Sequence, residues 1–166
     1  PVAGTGAVKR DGSWIKADSL FTTFMAENGW ERNADAFFFW STDLDGTFWL
    51  PKGHDVWVKG GRKLAEFLVD IPYEDRNVIA HSHGGQVVAY AARMMHYRGE
   101  RIRSVVTHDS PIRHDMEGVW RAAERAIDQH IHHYGTGWGS RMRWLGQRGR
   151  LKRIFPAPAK NVPVPG

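Results

Sequence analysis

The sequence predicts an α/β fold, with a mostly parallel sheet between two layers of helices. Short apolar runs, typical of strands buried on both faces, occur at 36–40 (AFFFW), 77–81 (NVIAH) and 104–108 (SVVTH). They alternate with segments in which apolar residues recur at helical spacing. Strands and helices in such alternation form a parallel sheet, whose functional residues are expected at the carboxyl ends of the strands.

The helical spacing occurs in four segments: 19–28, 61–69, 84–97 and 116–131. In the second, Leu64, Phe67 and Leu68 are predicted to face the core. The fourth is predicted to bury residues that recur on one side, namely Val119, Trp120, Ala123, Ile127 and Ile131. Two weaker segments, 142–145 and 151–155, are candidate strands.

The chain of 166 residues, 42% of them hydrophobic, supports one domain, which we place at 1–155. Residues 156–166 (PAPAKNVPVPG) hold four prolines, which exclude a helix and disfavour a central strand, so an extended tail is predicted. No apolar run approaches the roughly 18 residues of a membrane-spanning helix. Cysteine is absent, which excludes disulfides and thiolate chemistry. No signal-peptide pattern occurs, which leaves the compartment open with the cytoplasm slightly favoured.

The positive charge is concentrated in one segment, Arg141–Arg153. It carries six basic residues and no acidic one, so the rest of the chain sums to −1 against the total of +5. With Trp144 inside it, the segment could hold phosphates and stack a base. It could also be a solvated strand or loop, or the docking surface for an acidic protein partner. No nucleic-acid-binding motif accompanies the charge, so nucleic acid is not the favoured partner.

The segment that points most directly to chemistry follows the run 77–81. Ser82 stands between His81 and His83, and two glycines then lead into the predicted helix 84–97. A Ser that caps an ordinary strand-to-helix turn is the simple alternative. The sequence Ala80-His81-Ser82-His83-Gly84 resembles the nucleophile elbow, G-x-S-x-G, of the α/β-hydrolase family, with Ala80 in place of the first Gly. Such a turn strains the Ser backbone and therefore needs small residues two positions away.

Three further segments are similar to parts of the lipase- and esterase-like members of that family. Val2-Ala3-Gly4-Thr5-Gly6 resembles the loop after the third strand, often His-Gly-x-Gly, with Ala3 in place of that His. Phe39-Trp40-Ser41 and Val105–Pro111 resemble the strand ends before and after the elbow. The resemblance implies a serine hydrolase that cleaves an ester or lipid substrate through a Ser82 acyl-enzyme. It implies an oxyanion hole formed by the backbone N–H groups of Thr5 and His83, and it requires no metal or organic cofactor.

The family order is Ser, then an acid, then His. The region expected for the usual acid, 133–140, has no Asp or Glu, so Asp109 after the strand 104–108 is the best candidate. Asp109 could instead only cap the turn before Pro111. The family His should follow the last strand, yet no His follows 151–155. The favoured explanation is that the chain is trimmed at both ends and that the base lies beyond Gly166. The alternatives are an internal His in an unusual arrangement and a fold that lacks the chemistry.

Three histidines, His130, His132 and His133, are predicted to lie at the end of the helix 116–131. His81 and His83 are not expected to point at Ser82, because adjacent side chains diverge. They are predicted to form hydrogen bonds in the surroundings of the site and not to act as the base. A metal site made of His pairs is not favoured, because no HExxH motif or carboxylate partner accompanies them. A non-catalytic module of the same fold, docking through Arg141–Arg153, remains the alternative function.

Overall fold

A computed structural model describes residues 53–110, 112–135, 151–152, 155 and 158–164. The predicted helix 19–28, the predicted strand 36–40, Thr5 and most of the basic segment lie outside these residues. No helix within the described ranges is long and apolar enough to cross a membrane.

The fold is α/β, as predicted, and its centre is a parallel sheet. In chain order the strands are β1 (Asn77–His81), β2 (Ile102–His108), β3 (Ile112–Arg113), β4 (Ile127–Gly135), β5 (Leu151–Lys152) and β6 (Lys160–Val164). Strands β1, β2, β4 and β6 form the parallel sheet in that spatial order, while β3 and β5 pair antiparallel in a separate two-stranded sheet. The carboxyl ends of β1, β2 and β4 therefore lie side by side at one edge.

The described helices are α1 (Gly53–Val69), α2 (Gly84–Tyr97) and α3 (Glu117–Ala123), and α2 packs against both of the others. Helix α2 has the predicted bounds, whereas α1 begins eight residues before the predicted start at 61. Leu64 and Leu68 are buried as predicted, but Phe67 is 45% exposed, so its predicted inward position is wrong. Phe67 lies about 100° around the helix from Leu68 and falls outside the buried stripe.

The predicted helix 116–131 is wrong beyond Ala123. Residues Glu124–Ala126 form a single 3₁₀ turn, and β4 follows from Ile127 to Gly135. The spacing of Ile127 and Ile131 is four residues, which places both on one face of a helix and equally on one face of a strand. Pairing with β2 and β6 decides between the two. Because this segment is a strand, His133 lies at the carboxyl end of the sheet and not at the end of a helix.

The C-terminal residues add the fourth strand of the parallel sheet. Within the predicted strand 151–155, Leu151–Lys152 is a strand, but it pairs with β3 outside the parallel sheet. Residues 158–159 of the predicted extended tail form a turn. Lys160–Val164 is extended, but it joins the sheet as β6 and does not stand apart as an arm. Strand β6 ends the described sheet, a position in which the missing N–H of Pro163 is tolerated.

The core lies between the parallel sheet and the helices. Alternate residues of β1 and β2, such as Val78, Ala80 and Val105, face this core together with Val87 and Val88 of α2. Residues on the opposite sheet face include His81, which alternates with Ala80. The two faces of the sheet therefore carry two different sets of histidines.

Candidate active site

Ser82 has the strained backbone that a nucleophile elbow requires. Strand β1 ends at His81, and α2 begins at Gly84, so Ser82 lies in the turn between them. Its φ is 52°, a value that L-residues rarely adopt. The Ser82 N–H donates to the His108 carbonyl at 3.0 Å, and the Ser82 carbonyl accepts from the Gly85 N–H at 3.2 Å. These bonds fix the turn from both sides.

The small residues around Ser82 allow helix α2 to approach the end of β2 closely. A Cβ at Gly85 would lie 2.7 Å from Ser110 Oγ and 2.8 Å from Ser110 Cβ, which is closer than real Cβ contacts. Ala80 is fully buried beneath the turn. The glycine at position 85 is therefore a packing requirement of this turn.

His83 contacts the Ser82 hydroxyl, contrary to the expectation that the two side chains diverge. Its Nδ1 lies 3.4 Å from Ser82 Oγ. The positive φ of Ser82 departs from the extended conformation in which adjacent side chains point to opposite sides. The His83 ring is 8% exposed and stacks on Trp57 of α1, with 5.7 Å between centroids and 18° between planes. Its backbone N–H lies at the amino end of α2, while Thr5 is outside the described residues.

Asp109 directly follows β2, as Ser82 directly follows the neighbouring strand β1. Its N–H donates to the His133 carbonyl at 2.8 Å. Its φ is 48°, so Asp109 and Ser82 are the two non-glycine residues with positive φ in the described part. Its Oδ1 is buried without a hydrogen-bond partner among the described residues. Asp109 therefore lies beside the turn at Ser82, but its Oδ1 forms no hydrogen bond with an imidazole among the described residues.

Three histidines form a row across this edge: His81, His108 and His133 are register partners on adjacent strands. Ring centroids are 6.1 Å apart between His81 and His108 and 6.2 Å apart between His108 and His133. Burial, and then the neighbouring His81, lower the pKa of His108, against a smaller opposing effect of Asp109. Burial, and then His108, also lower the pKa of His133. The prediction that residues 130–134 (HIHHY) lie at the end of a helix did not bring these histidines together. The alternation of the segment fits a strand as well.

A buried hydrogen-bonded network, not expected from the sequence, occupies the opposite face of the sheet. Glu124 Oε1 lies 2.6 Å from His130 Nδ1, and Thr107 Oγ1 lies 2.9 Å from His130 Nε2 and 2.8 Å from His132 Nδ1. Trp120 stacks on the His130 ring with 5.4 Å between centroids. The buried hydrogen bonds of His130 and His132 therefore stabilise the core. In the described ranges no group of three His, Asp or Glu side chains is arranged to hold a metal ion.

Replacing Glu124 by Ala is expected to lower the free energy of unfolding by about 3 kcal/mol, because it leaves a buried imidazole without its carboxylate partner. Glu117→Ala is the matched control, since Glu117 pairs with the exposed Arg121 one helical turn away. That change is expected to cost about 0.5 kcal/mol or less. Urea unfolding at pH 7 measures both, and equal losses would contradict the role of the network.

The lowered pKa values of His108 and His133 predict a pH-dependent stability. The unfolded chain takes up protons near pH 6.5, while the folded chain resists them. This stability is therefore fully present above about pH 6.5 and is lost as the pH falls towards the folded-state pKa values. Urea unfolding at pH 7.5 and 5.5 should show the loss, and His108→Gln should reduce it. An unchanged slope in His108→Gln would contradict this origin.

Comparison of the chain with protein-family models, curated proteins and solved structures gave no match, so the hydrolase interpretation depends on the residues and geometry described above.

Proposed function

We propose that this chain is a serine hydrolase that cleaves carboxylic esters, with Ser82 as the nucleophile. The observation that carries the proposal is the φ of 52° at Ser82, between a buried strand and the amino end of α2. A non-glycine residue in such a conformation costs of order 1–3 kcal/mol, and strain of this kind clusters at functional sites. A glycine would form the same turn without that cost, whereas a serine supplies a hydroxyl.

The surroundings of Ser82 supply the other parts of an acyl-transfer site. The hydroxyl attacks the ester carbonyl, and an imidazole takes its proton. The His83 N–H, at the amino end of α2, donates to the oxyanion, and by the family resemblance the Thr5 N–H is the second donor. By the same resemblance Asp109, at the same end of the sheet, is the candidate acid of the site. Water then hydrolyses the acyl-enzyme.

Hydrolysis of p-nitrophenyl butyrate by the wild-type chain and by Ser82→Ala tests this function. We expect turnover above the buffer rate that disappears in the variant, with circular dichroism showing that both proteins are folded. A folded wild-type protein without turnover would contradict the proposal and favour the non-catalytic module that docks through Arg141–Arg153. Equal rates in the two proteins would contradict Ser82 as the nucleophile.

A further inference from the structure

We propose that the His83 side chain is the general base for Ser82, so that nucleophile and base are consecutive residues. This inference rests on the proposed hydrolase function and deepens it, because it assigns the proton acceptor within the described residues. It differs from the expectation drawn from the family order, in which the base follows the last strand.

The contact between the two side chains carries the assignment. His83 Nδ1 lies 3.4 Å from Ser82 Oγ, and this is the one side-chain hydrogen bond of Ser82 within the described ranges. Hydrogen bonds between a nucleophile and its base are often long without substrate and shorten in the reacting complex. The distance is therefore compatible with proton transfer after a small movement of either side chain.

Trp57 holds the His83 ring in this place. The two rings are stacked with 18° between their planes, and both side chains are buried. A buried, stacked imidazole has few accessible rotamers, so Nδ1 stays directed towards the hydroxyl. Positioning of this kind replaces part of the orienting role that a carboxylate has in a triad.

Six other histidines whose side chains the structure describes lie elsewhere. His81, His108 and His133 contact one another in the row across the sheet edge. His130 and His132 share the Thr107 hydroxyl in the buried network. His96 lies in the last turn of α2, about 20 Å along the helix from the elbow.

The His83 imidazole alone can carry out every proton transfer of the reaction. As the Ser82 Oγ–carbon bond forms, Nδ1 takes the hydroxyl proton, and the carbonyl electron pair moves onto the oxyanion. The imidazolium gives this proton to the leaving oxygen when the ester C–O bond breaks. In deacylation Nδ1 takes a proton from water as the water oxygen bonds to the acyl carbon. It then returns this proton to Ser82 Oγ as the bond between the acyl carbon and Oγ breaks and the carbonyl re-forms.

The test compares ester hydrolysis and fluorophosphonate labelling rates of the wild-type chain with those of His83→Ala, His83→Gln and, as a control, His96→Ala. Both His83 variants keep the backbone N–H, so the oxyanion donor survives. We expect their rates to fall at least about 100-fold, while His96→Ala stays within about threefold of wild type. Added imidazole should raise the rate of His83→Ala at least tenfold above its effect on Ser82→Ala, which measures the reaction of imidazole with the ester itself. A purely structural role would not produce this difference.

The outcomes separate this inference from the function on which it rests. If the folded wild-type chain neither hydrolyses ester nor takes the label, the proposed function fails. If the wild type is active and Ser82→Ala is inactive, but both His83 variants stay within threefold of wild type, only the assignment of His83 fails. Loss of activity in folded His83→Ala without any response to imidazole would also overturn the assignment.

Discussion

Replacing Ser82 by Ala is expected to lower kcat/KM for ester hydrolysis by about 10⁴-fold or more, because the acyl-enzyme can no longer form. The change removes one oxygen atom and leaves the β1–α2 turn with a Cβ at φ 52°. Steady-state hydrolysis of p-nitrophenyl butyrate measures the loss. A variant that retains more than a tenth of the wild-type rate would show that another group performs the chemistry.

Ser82→Gly is the variant to compare with Ser82→Ala, because it removes the hydroxyl and the Cβ together. It should be as inactive as Ser82→Ala, yet its free energy of unfolding should be about 1 kcal/mol higher than that of the Ala variant, since glycine adopts positive φ without strain. Urea unfolding of both variants measures the difference. Equal stabilities would contradict the strain at Ser82, whatever the activities are.

Replacing Gly61 by Ala is expected to lower the free energy of unfolding by about 3 kcal/mol, because α1 and α2 touch at this residue. A Cβ at Gly61 would lie 2.4 Å from Tyr90 Cβ and 3.0 Å from both Ala91 N and Val87 O. Two of these atoms belong to the backbone of α2, so the helices must separate to admit a methyl group. Helix α1 carries Trp57, so this separation should also loosen the stack on His83.

Gly118→Ala controls for the general effect of adding a methyl group to a helix. Gly118 lies on the exposed side of α3, and a Cβ there would meet nothing within 4 Å. This variant is expected to be as stable as wild type or up to about 1 kcal/mol more stable. Urea unfolding compares the two variants, and wild-type stability in Gly61→Ala would contradict the close packing of α1 on α2.

The elbow could be predicted from sequence because its signals are local. A buried strand, a turn with small residues and an amphipathic helix follow one another within 77–97, and β1 and α2 have the predicted bounds. The resemblance of Ala80–Gly84 to the elbow pattern implied the strained conformation of Ser82. Asp109 was placed after its strand correctly, although its positive φ was not foreseen.

The parts that could not be predicted depend on distant pairing. The residues of β4 have apolar spacing that suits a helix as well as a strand, and its ladders to β2 and β6 decide between them. The network that joins Glu124 and His130 to Thr107 likewise connects residues that are distant in the sequence. The His83 contact was missed because the side chains of adjacent residues were expected to diverge.

The most direct test of the central claim is the intact mass of the folded chain after treatment with a fluorophosphonate. An activated Ser82 predicts one adduct per chain, located by peptide mapping at Ser82 and absent from Ser82→Ala. No adduct on the folded wild-type chain, or an adduct that persists in Ser82→Ala, would contradict the claim that Ser82 is the nucleophile of a serine hydrolase.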